Sequence, residues 1–336
     1  MLTIGSNINE VRVDGSLKAL VRDLDAFAGF GLTAAEISIH GLDTIRNGRC
    51  NKPRIRELQA ILADYPFAYS THAPNPLNLM DRDDPDLHRD VLFASLECSA
   101  EIGARVMVYH PGRYLAEEAF SVVSRPCILT PREKQAMLDH EAVVLGQAAG
   151  EFPEVVIAME NARPYLCHSP YCYAENPSEL VSQIRRIGKV NVGMTLDFGH
   201  LHLSSRFYGF DEREEVRQAA PDIVHCHVHD NFGRSVYHTE KIQTHQIPFG
   251  RGDAHMPVGW GNIPFGDLFS YFISDYSGIL ICELRSRYFD DTGEAAENLR
   301  RILEGSGLVD RQNPVEPSCR NFPAAEHPVL PDSLAG

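Results

Sequence analysis

The chain has 336 residues, 43% of them hydrophobic, and a formal net charge of −15 at pH 7. This length is enough to bury a large core and suits barrels that use about 250 residues or more as one domain. The negative charge opposes attraction to phosphate backbones and to anionic membrane surfaces, so we expect a small-molecule substrate, no nucleic-acid partner and no membrane association.

The start of the chain and its cysteines indicate a cytoplasmic location. The first residues, MLTIGSNINE, lack the basic and apolar segments of a signal peptide, and no apolar run approaches the roughly 20 residues of a membrane span. The eight cysteines are scattered without a CxxC pair, which favours reduced thiols. A disulfide or zinc site at Cys167 and Cys172 is the less favoured alternative.

Short β-rich runs alternate with amphipathic stretches along most of the chain, as in βα units around a parallel sheet. In the first amphipathic stretch, Leu17, Leu20, Leu24 and Phe27 follow helical spacing. We therefore predict eight strands and eight helices that form a (β/α)8 TIM barrel over residues 1–305, followed by an irregular, proline-containing tail at 306–336. The predicted strands are residues 2–8, 35–39, 67–72, 105–110, 155–160, 192–197, 223–229 and 279–283.

Three predicted connections are long, and each follows a strand: residues 111–130, 161–176 and 231–263. Long loops in compact domains are usually functional, so we expect extended loops on the C-terminal face of the barrel. The second loop carries Tyr165, Tyr171 and Tyr173. It is predicted either to cover the site as a lid or to pack against a second subunit of a homo-oligomer.

Six predicted strands end in an acidic or imidazole side chain. These residues are His72, His110, Glu160, Asp197, His227 and Glu283. Chemistry in such barrels is done at the C-terminal ends of the strands, where these side chains would meet. Residues that alternate with Glu160 and Glu283, such as Ala158 and Ile281, are small or branched, as expected inside a barrel.

Three further candidate ligands follow, namely His200, one helical turn after Asp197, and the Asp253/His255 pair in the third long loop. Imidazoles combined with carboxylates favour Zn²⁺ most, with Mn²⁺ as the alternative. Nine such groups exceed the needs of one ion, so we predict up to three ions, with Glu160 as a bridge. A single buried His or Glu is more often structural, and it is the agreement of six strand ends that supports the set.

Other histidines have less specific interpretations. His225 and His229 share the facing of His227 and are predicted to lie in the core or to support the ligands. His40 and His202 fall near the predicted barrel mouth and are candidates for substrate contact.

The motifs around these residues resemble the xylose isomerase-like superfamily, which joins sugar isomerases and epimerases with AP endonucleases. HAPNPLNLM, VMVYHPG, AMEN, MTLDFGH, HVHDN, GDAH and ICEL stand in the superfamily's order. For sugar-transforming members, the resemblance implies one divalent ion held by Glu160, Asp197, His227 and Glu283. For the endonucleases, it implies three zinc ions that also use His72, His110, His200, Asp253 and His255.

Two departures separate these branches. The repair enzymes have an aromatic residue after the HAP motif, whereas Asn75 and a second proline follow it here. Binding of a phosphate backbone also requires cationic side chains, and this chain is strongly acidic. Small-molecule chemistry is therefore favoured over DNA cleavage.

The leading hypothesis is a divalent-metal-dependent isomerase or epimerase of a sugar, sugar phosphate or keto-polyol that acts through an enediolate. Glu160 and Glu283 would be the acid and base, as the resemblance also implies. The predicted substrate contacts are Asn7, Asn161, Asn231 and Arg285. The alternatives are a multi-zinc phosphodiesterase, a lyase or hydratase with the same enediolate chemistry and, least favoured, a metal-free binding protein.

Overall fold

A computed structural model describes residues 2–122, 129–240 and 244–307 of the chain. The last helix in these residues, Thr292–Gly307, ends two residues beyond the predicted domain boundary at 305. Residues 308–336 lie outside the described part, so the irregular tail remains a prediction.

Eight parallel strands close into a barrel, which confirms the predicted (β/α)8 TIM barrel. Each strand pairs with its neighbours in the chain, and β8 pairs with β1. The strands are β1 Thr3–Ile8, β2 Ala34–Ser38, β3 Ala68–His72, β4 Val106–Tyr109, β5 Val156–Glu160, β6 Val192–Asp197, β7 Ile223–Val228 and β8 Ile279–Cys282. Since β4 and β8 each end one residue earlier than predicted, His110 and Glu283 lie directly after their strands.

Ten α-helical segments occur in the described residues, two more than predicted. One extra segment follows β1, and two helices instead of one connect β6 to β7. None of them has the length and apolarity that a membrane-spanning helix needs. The helices are Glu10–Val13, Leu17–Gly29, Lys52–Leu62, Pro85–Glu101, Pro131–Glu151, Pro177–Ile187, Phe198–Tyr208, Glu212–Ala219, Phe265–Phe269 and Thr292–Gly307.

Local sequence explains where several helices begin. Thr130 and Glu133 form a capping box, in which each side chain accepts a hydrogen bond from the backbone of the other residue. Asn176 caps the helix Pro177–Ile187 by accepting from the backbone N–H of Ser178. Both helices have proline at a first-turn position, where the missing N–H has no partner to lose.

The barrel interior is filled by small and branched side chains. Ile279 and Ile281 of β8 form an apolar cluster with Ala34, separate from the larger core between the strands and the outer helices. Ala158 and Thr195 on neighbouring strands are also fully buried. The alternation that places Ile281 inward therefore brings Glu283 above this packed interior, as predicted.

The three long connections contain short helical turns. The first includes the 3-10 turn Glu117–Ser121, and the second includes Tyr173–Glu175. The third includes two such turns, His238–Glu240 and Thr244–Phe249. All three connections leave the C-terminal ends of strands, so they lie on the face of the barrel where the candidate ligands were predicted.

Candidate metal centre

All nine predicted ligands come together at the C-terminal ends of the strands, in three clusters. Within each cluster, one ligand atom from every residue lies within 4.8 Å of the others. The central cluster consists of Glu160, Asp197, His227 and Glu283. The His72 cluster consists of His72, His110 and Glu160, and the Asp253 cluster consists of His200, His229, Asp253 and His255. Glu160 belongs to two clusters, and His229 joins the third although it was not predicted as a ligand.

The central cluster is a set of buried ligand atoms that face one another. Nδ1 of His227 lies 3.4 Å from a carboxylate oxygen of Glu160, 3.4 Å from one of Glu283 and 3.9 Å from one of Asp197. Nδ1 of His227 and Oε2 of Glu283 have no hydrogen-bond partner among the described residues. Buried polar atoms normally have partners, so this convergence fits a divalent cation.

Backbone carbonyls orient three of the imidazole rings. Nδ1 of His72, His200 and His255 lies 2.7, 2.8 and 2.9 Å from a carbonyl oxygen. Because a carbonyl only accepts, Nδ1 carries the hydrogen in each ring, and Nε2 is directed into the clusters. Histidines that bind metal usually donate their second ring nitrogen in this way.

A buried carboxylate that the sequence analysis missed lies below His227. Oε1 of Glu36 is 2.9 Å from Nε2 of His227, and its Oε2 accepts from His225 and Ser70, each at 2.9 Å. Burial raises the pKa of Glu36, but His227 and His225 lower it well below the usual range. Glu36 is thus an ionised partner that leaves Nδ1 of His227 facing the cluster. Its position as the one charged residue of the strand Ala34–Ser38 was the available signal.

Asp197 fixes the position of His200, which follows it by three residues. Its Oδ1 accepts the backbone N–H of His200 at 2.6 Å and so caps the helix Phe198–Tyr208. Its Oδ2 lies 3.0 Å from Nε2 of His229. A side chain at Gly199 would place its Cβ 2.0 Å from the His229 ring, so this close approach requires glycine.

The Asp253 cluster is held by an anchored loop. Asp230 accepts backbone N–H groups of Asn231 and Gly259, each at 3.0 Å, which fixes the loop that carries Asp253 and His255. His255 adopts φ +43°, a left-handed conformation that costs a non-glycine residue on the order of 1 kcal/mol and often marks functional sites. Oδ2 of Asp253 lies 2.8 Å from Nε2 of His255 and 3.2 Å from Nε2 of His200.

The electrostatics of the clusters favour positive charge. Burial would lower the pKa of His72, but Glu160 and Glu36 raise it to about 9. Burial would raise the pKa of Glu160, but His227 and His110 lower it well below its usual range. Carboxylates and imidazoles thus stabilise each other's charged forms in a site largely shielded from water.

The four predicted substrate contacts differ in position. Asn7 and Arg285 line a pocket that opens over the central cluster, next to Glu160 and Glu283. Asn161 and Asn231 do not line this pocket, and both amide atoms of each bond to backbone groups of other residues, as those of Asn7 bond to the backbone of Leu284. The pocket residues that were not predicted include Asn9, Asn75 and Arg163, whereas His40 lines the pocket as proposed. His202 bonds to Glu212 and Asn262 and does not line it.

The tyrosines of the second long loop are buried rather than exposed above the pocket. Tyr173 donates to Glu141 at 2.6 Å, and Tyr165 donates to Glu117 at 3.2 Å. Tyr171 donates to a backbone carbonyl in the same loop. The bonds of Tyr173 and Tyr165 attach the loop to the helix Pro131–Glu151 and to the first long connection, so a lid role would have to come from its other residues. The two cysteines of this loop are free thiols.

Comparison with known proteins identifies a matching family and one curated relative. The profile described as "Xylose isomerase-like TIM barrel" matches residues 24–304. Uncharacterized protein MJ1311 of Methanocaldococcus jannaschii is 23% identical over 294 residues, which cover 85% of this chain and 86% of that protein.

Solved structures share the architecture at low identity. A D-tagatose 3-epimerase-like protein superposes with a TM-score of 0.67 and 20% identity, covering 91% of this chain and 98% of that one. L-ribulose 3-epimerase gives 0.63 and 16%, with 94% and 100% coverage. The 3-keto-D-glucoside 4-epimerase of E. coli gives 0.64 and 14%, with 90% and 99% coverage. At these identities, the similarity shows a common fold.

Proposed function

The chain belongs to the xylose isomerase-like TIM barrel family, and from this premise we propose that it is a divalent-metal-dependent isomerase or epimerase of a sugar, sugar phosphate or keto-polyol. The central cluster would hold the ion, and Glu160 and Glu283 would act as acid and base. Sugar epimerases among the structures of the same fold support the choice of substrate class.

One observation carries this proposal. The carboxylates of Glu160 and Glu283 each lie 3.4 Å from the same nitrogen of His227, and both line the pocket. Each of these carboxylates could bind an ion through one of its oxygens and present the other oxygen to a carbon of the substrate. Nitrogen and oxygen donors of this kind suit Zn²⁺ best and Mn²⁺ second.

The proposed reaction is proton transfer next to a carbonyl. A divalent ion in the central cluster would polarise the substrate carbonyl and stabilise the negative charge of the enediolate. One carboxylate removes the proton, and the other returns one to the same or the neighbouring carbon. Histidines beside them lower the pKa values of Glu160 and Glu283 against the effect of burial, so the carboxylate that removes the proton would start ionised, and the one that returns a proton would first take it up from solvent.

The remaining predicted contacts divide into two groups. We assign substrate hydroxyl contacts to Asn7 and Arg285 because both line the pocket, and Asn7 would make its contact while its amide also bonds to the backbone of Leu284. Asn161 brackets the backbone N–H and carbonyl of Asp197, and Asn231 donates to the carbonyl of Gly199, so both would hold ligand-bearing segments in place. The free cysteines support the cytoplasm as the compartment.

A multi-zinc phosphodiesterase is the second candidate, and a specific observation favours it. The His72 and Asp253 clusters flank the central cluster, although enediolate chemistry needs only one ion. The net charge of −15 opposes this alternative, because a nucleic-acid substrate would be repelled at long range.

The test is solvent-proton exchange. Metal-loaded protein is incubated in D₂O with a panel of keto sugars and their phosphates, and NMR follows deuterium at the carbon next to the carbonyl. We expect exchange with the wild type and with the surface variant Glu294→Gln, and none with Glu283→Gln. Cleavage of an abasic-site oligonucleotide, with every sugar left unchanged, would replace this proposal by the phosphodiesterase.

A further inference from the structure

The Asp253 cluster differs from the other two because an arginine enters it. Arg163 follows β5 in the second long loop and is largely buried at the edge of the pocket. Its NH1 lies 3.0 Å from Nε2 of His200, and its Nε lies 3.3 Å from Oδ2 of Asp253. The guanidinium therefore contacts two of the predicted ligands of a third ion.

The contact with His200 uses the lone pair that an ion would need. Nδ1 of His200 donates to the carbonyl of Asn161 at 2.8 Å, so Nε2 is the only ring nitrogen left to bind. The N–H groups of arginine can only donate, so in the neutral ring Nε2 of His200 accepts from Arg163. A metal ion would require that same lone pair, so the guanidinium and an ion exclude each other.

A chain of hydrogen bonds through Tyr165 and Glu117 holds Arg163 in this position. Its Nε donates its hydrogen to the hydroxyl of Tyr165 at 3.1 Å, and that hydroxyl donates to Glu117. Burial would lower the pKa of Arg163, but Tyr165, Asp253 and Glu117 raise it well above its usual value. The side chain is thus a permanent, fixed cation.

The other two clusters lack such a contact. In the described residues, the ion pairs of Glu160, Asp197 and Glu283 are made with histidines alone. Those carboxylates are not neutralised by a permanent cation and remain available to metal ions.

We propose that Arg163 takes the place of a third metal ion, so that the protein binds two divalent ions, at the central and His72 clusters, with a guanidinium beside them. This inference rests on the proposed metal-dependent function, and it narrows the predicted maximum of three ions to two. It also supplies the pocket with a fixed positive group that would bind an anionic oxygen of the substrate.

Metal counting tests the inference without any assay of activity. Metal-free wild type, Arg163→Ala and the double variant Arg163→Ala/Asp253→Asn are loaded with Zn²⁺ and freed of excess. Zinc per chain is then measured by elemental analysis and native mass spectrometry. We expect two ions in the wild type, three in Arg163→Ala and two in the double variant, which assigns the additional ion to Asp253. Circular dichroism checks that each variant is folded.

The outcomes separate this inference from the proposed function. Three ions in the wild type, fewer than two, or no gain in a folded Arg163→Ala protein would overturn the role of Arg163, whether or not any sugar reacts. Two ions in the wild type, three in Arg163→Ala and two in the double variant would support that role. If the wild type were at the same time inactive on every sugar, only the enediolate proposal would be rejected.

Discussion

Two buried glutamates on neighbouring elements show how a structural carboxylate differs from a candidate metal ligand. Glu141, on the helix Pro131–Glu151, accepts four hydrogen bonds, from the hydroxyls of Tyr109 and Tyr173, the backbone of Gly112 and the amide of Gln183. Each of its oxygens has two donors, at 2.6 to 3.1 Å. Every donor is neutral, so the bonding is complete without added charge.

Glu160 has the opposite surroundings. Nitrogens of His72, His110, His200 and His227 lie 3.1 to 3.5 Å from its oxygens, and Oε2 has no hydrogen-bond partner among the described residues. Burial raises the pKa of Glu141 despite its four donors, whereas the histidines lower that of Glu160. The pKa values of these two equally buried glutamates are therefore shifted in opposite directions, and only the surroundings of Glu160 stabilise a cation.

The largest expected effect comes from neutralising Glu160. In Glu160→Gln, we expect the rate on the sugar that the wild type converts to fall by about 10³-fold or more, because acid–base function and a shared ligand are lost together. Stabilisation by added Zn²⁺ or Mn²⁺, followed as a shift in melting temperature, should also disappear. Glu141→Gln is the matched control and should keep the metal-induced shift. A full shift in Glu160→Gln would show that Glu160 is not a ligand.

Removal of the structural carboxylate should instead affect folding. Glu141→Ala leaves two tyrosine hydroxyls, a backbone N–H and an amide without their acceptor, and we expect a loss of about 3 kcal/mol in the free energy of unfolding. Urea denaturation measures this loss. The exposed change Gln147→Ala, on the same helix, should alter stability by less than about 0.5 kcal/mol. The loss in Glu141→Ala should be equal with metal and with chelator, and a dependence on metal would contradict the assignment.

The fold and the grouping of the candidate ligands were largely predictable from sequence because both follow local periodicity. Strand alternation fixed which side chains face inward, and the ends of parallel strands necessarily meet at one face. His72, Glu160 and Asp197 thus came together without knowledge of tertiary contacts. The D-x-x-H spacing of Asp197 and His200 has an equally local cause, since the aspartate caps the helix that bears the histidine.

The missed residues depend on contacts between distant parts of the chain. Glu36 meets His225 across 189 positions, only because the barrel closes. Arg163 lies in an irregular loop, where no periodicity indicates the direction of a side chain. Asn231 was predicted to contact substrate because of its place near the mouth, but its amide is used by the backbone. Bonding partners of this kind are set by tertiary packing and cannot be predicted from the spacing of residues in the sequence.

The smallest expected effect is the pH dependence that Glu141 contributes to stability. Burial raises the pKa of Glu141 in the folded protein, so ionisation opposes folding. Relative to Glu141→Gln, the wild type should therefore be most stable below the unfolded glutamate pKa of about 4.3 and lose that advantage as pH rises through the folded pKa. Urea denaturation of both proteins from pH 4 to 8 measures the difference, in which the other titrating groups cancel. A difference that grows with pH would mean that the four donors outweigh burial, and that Glu141 is stabilised as an anion without any cation beside it.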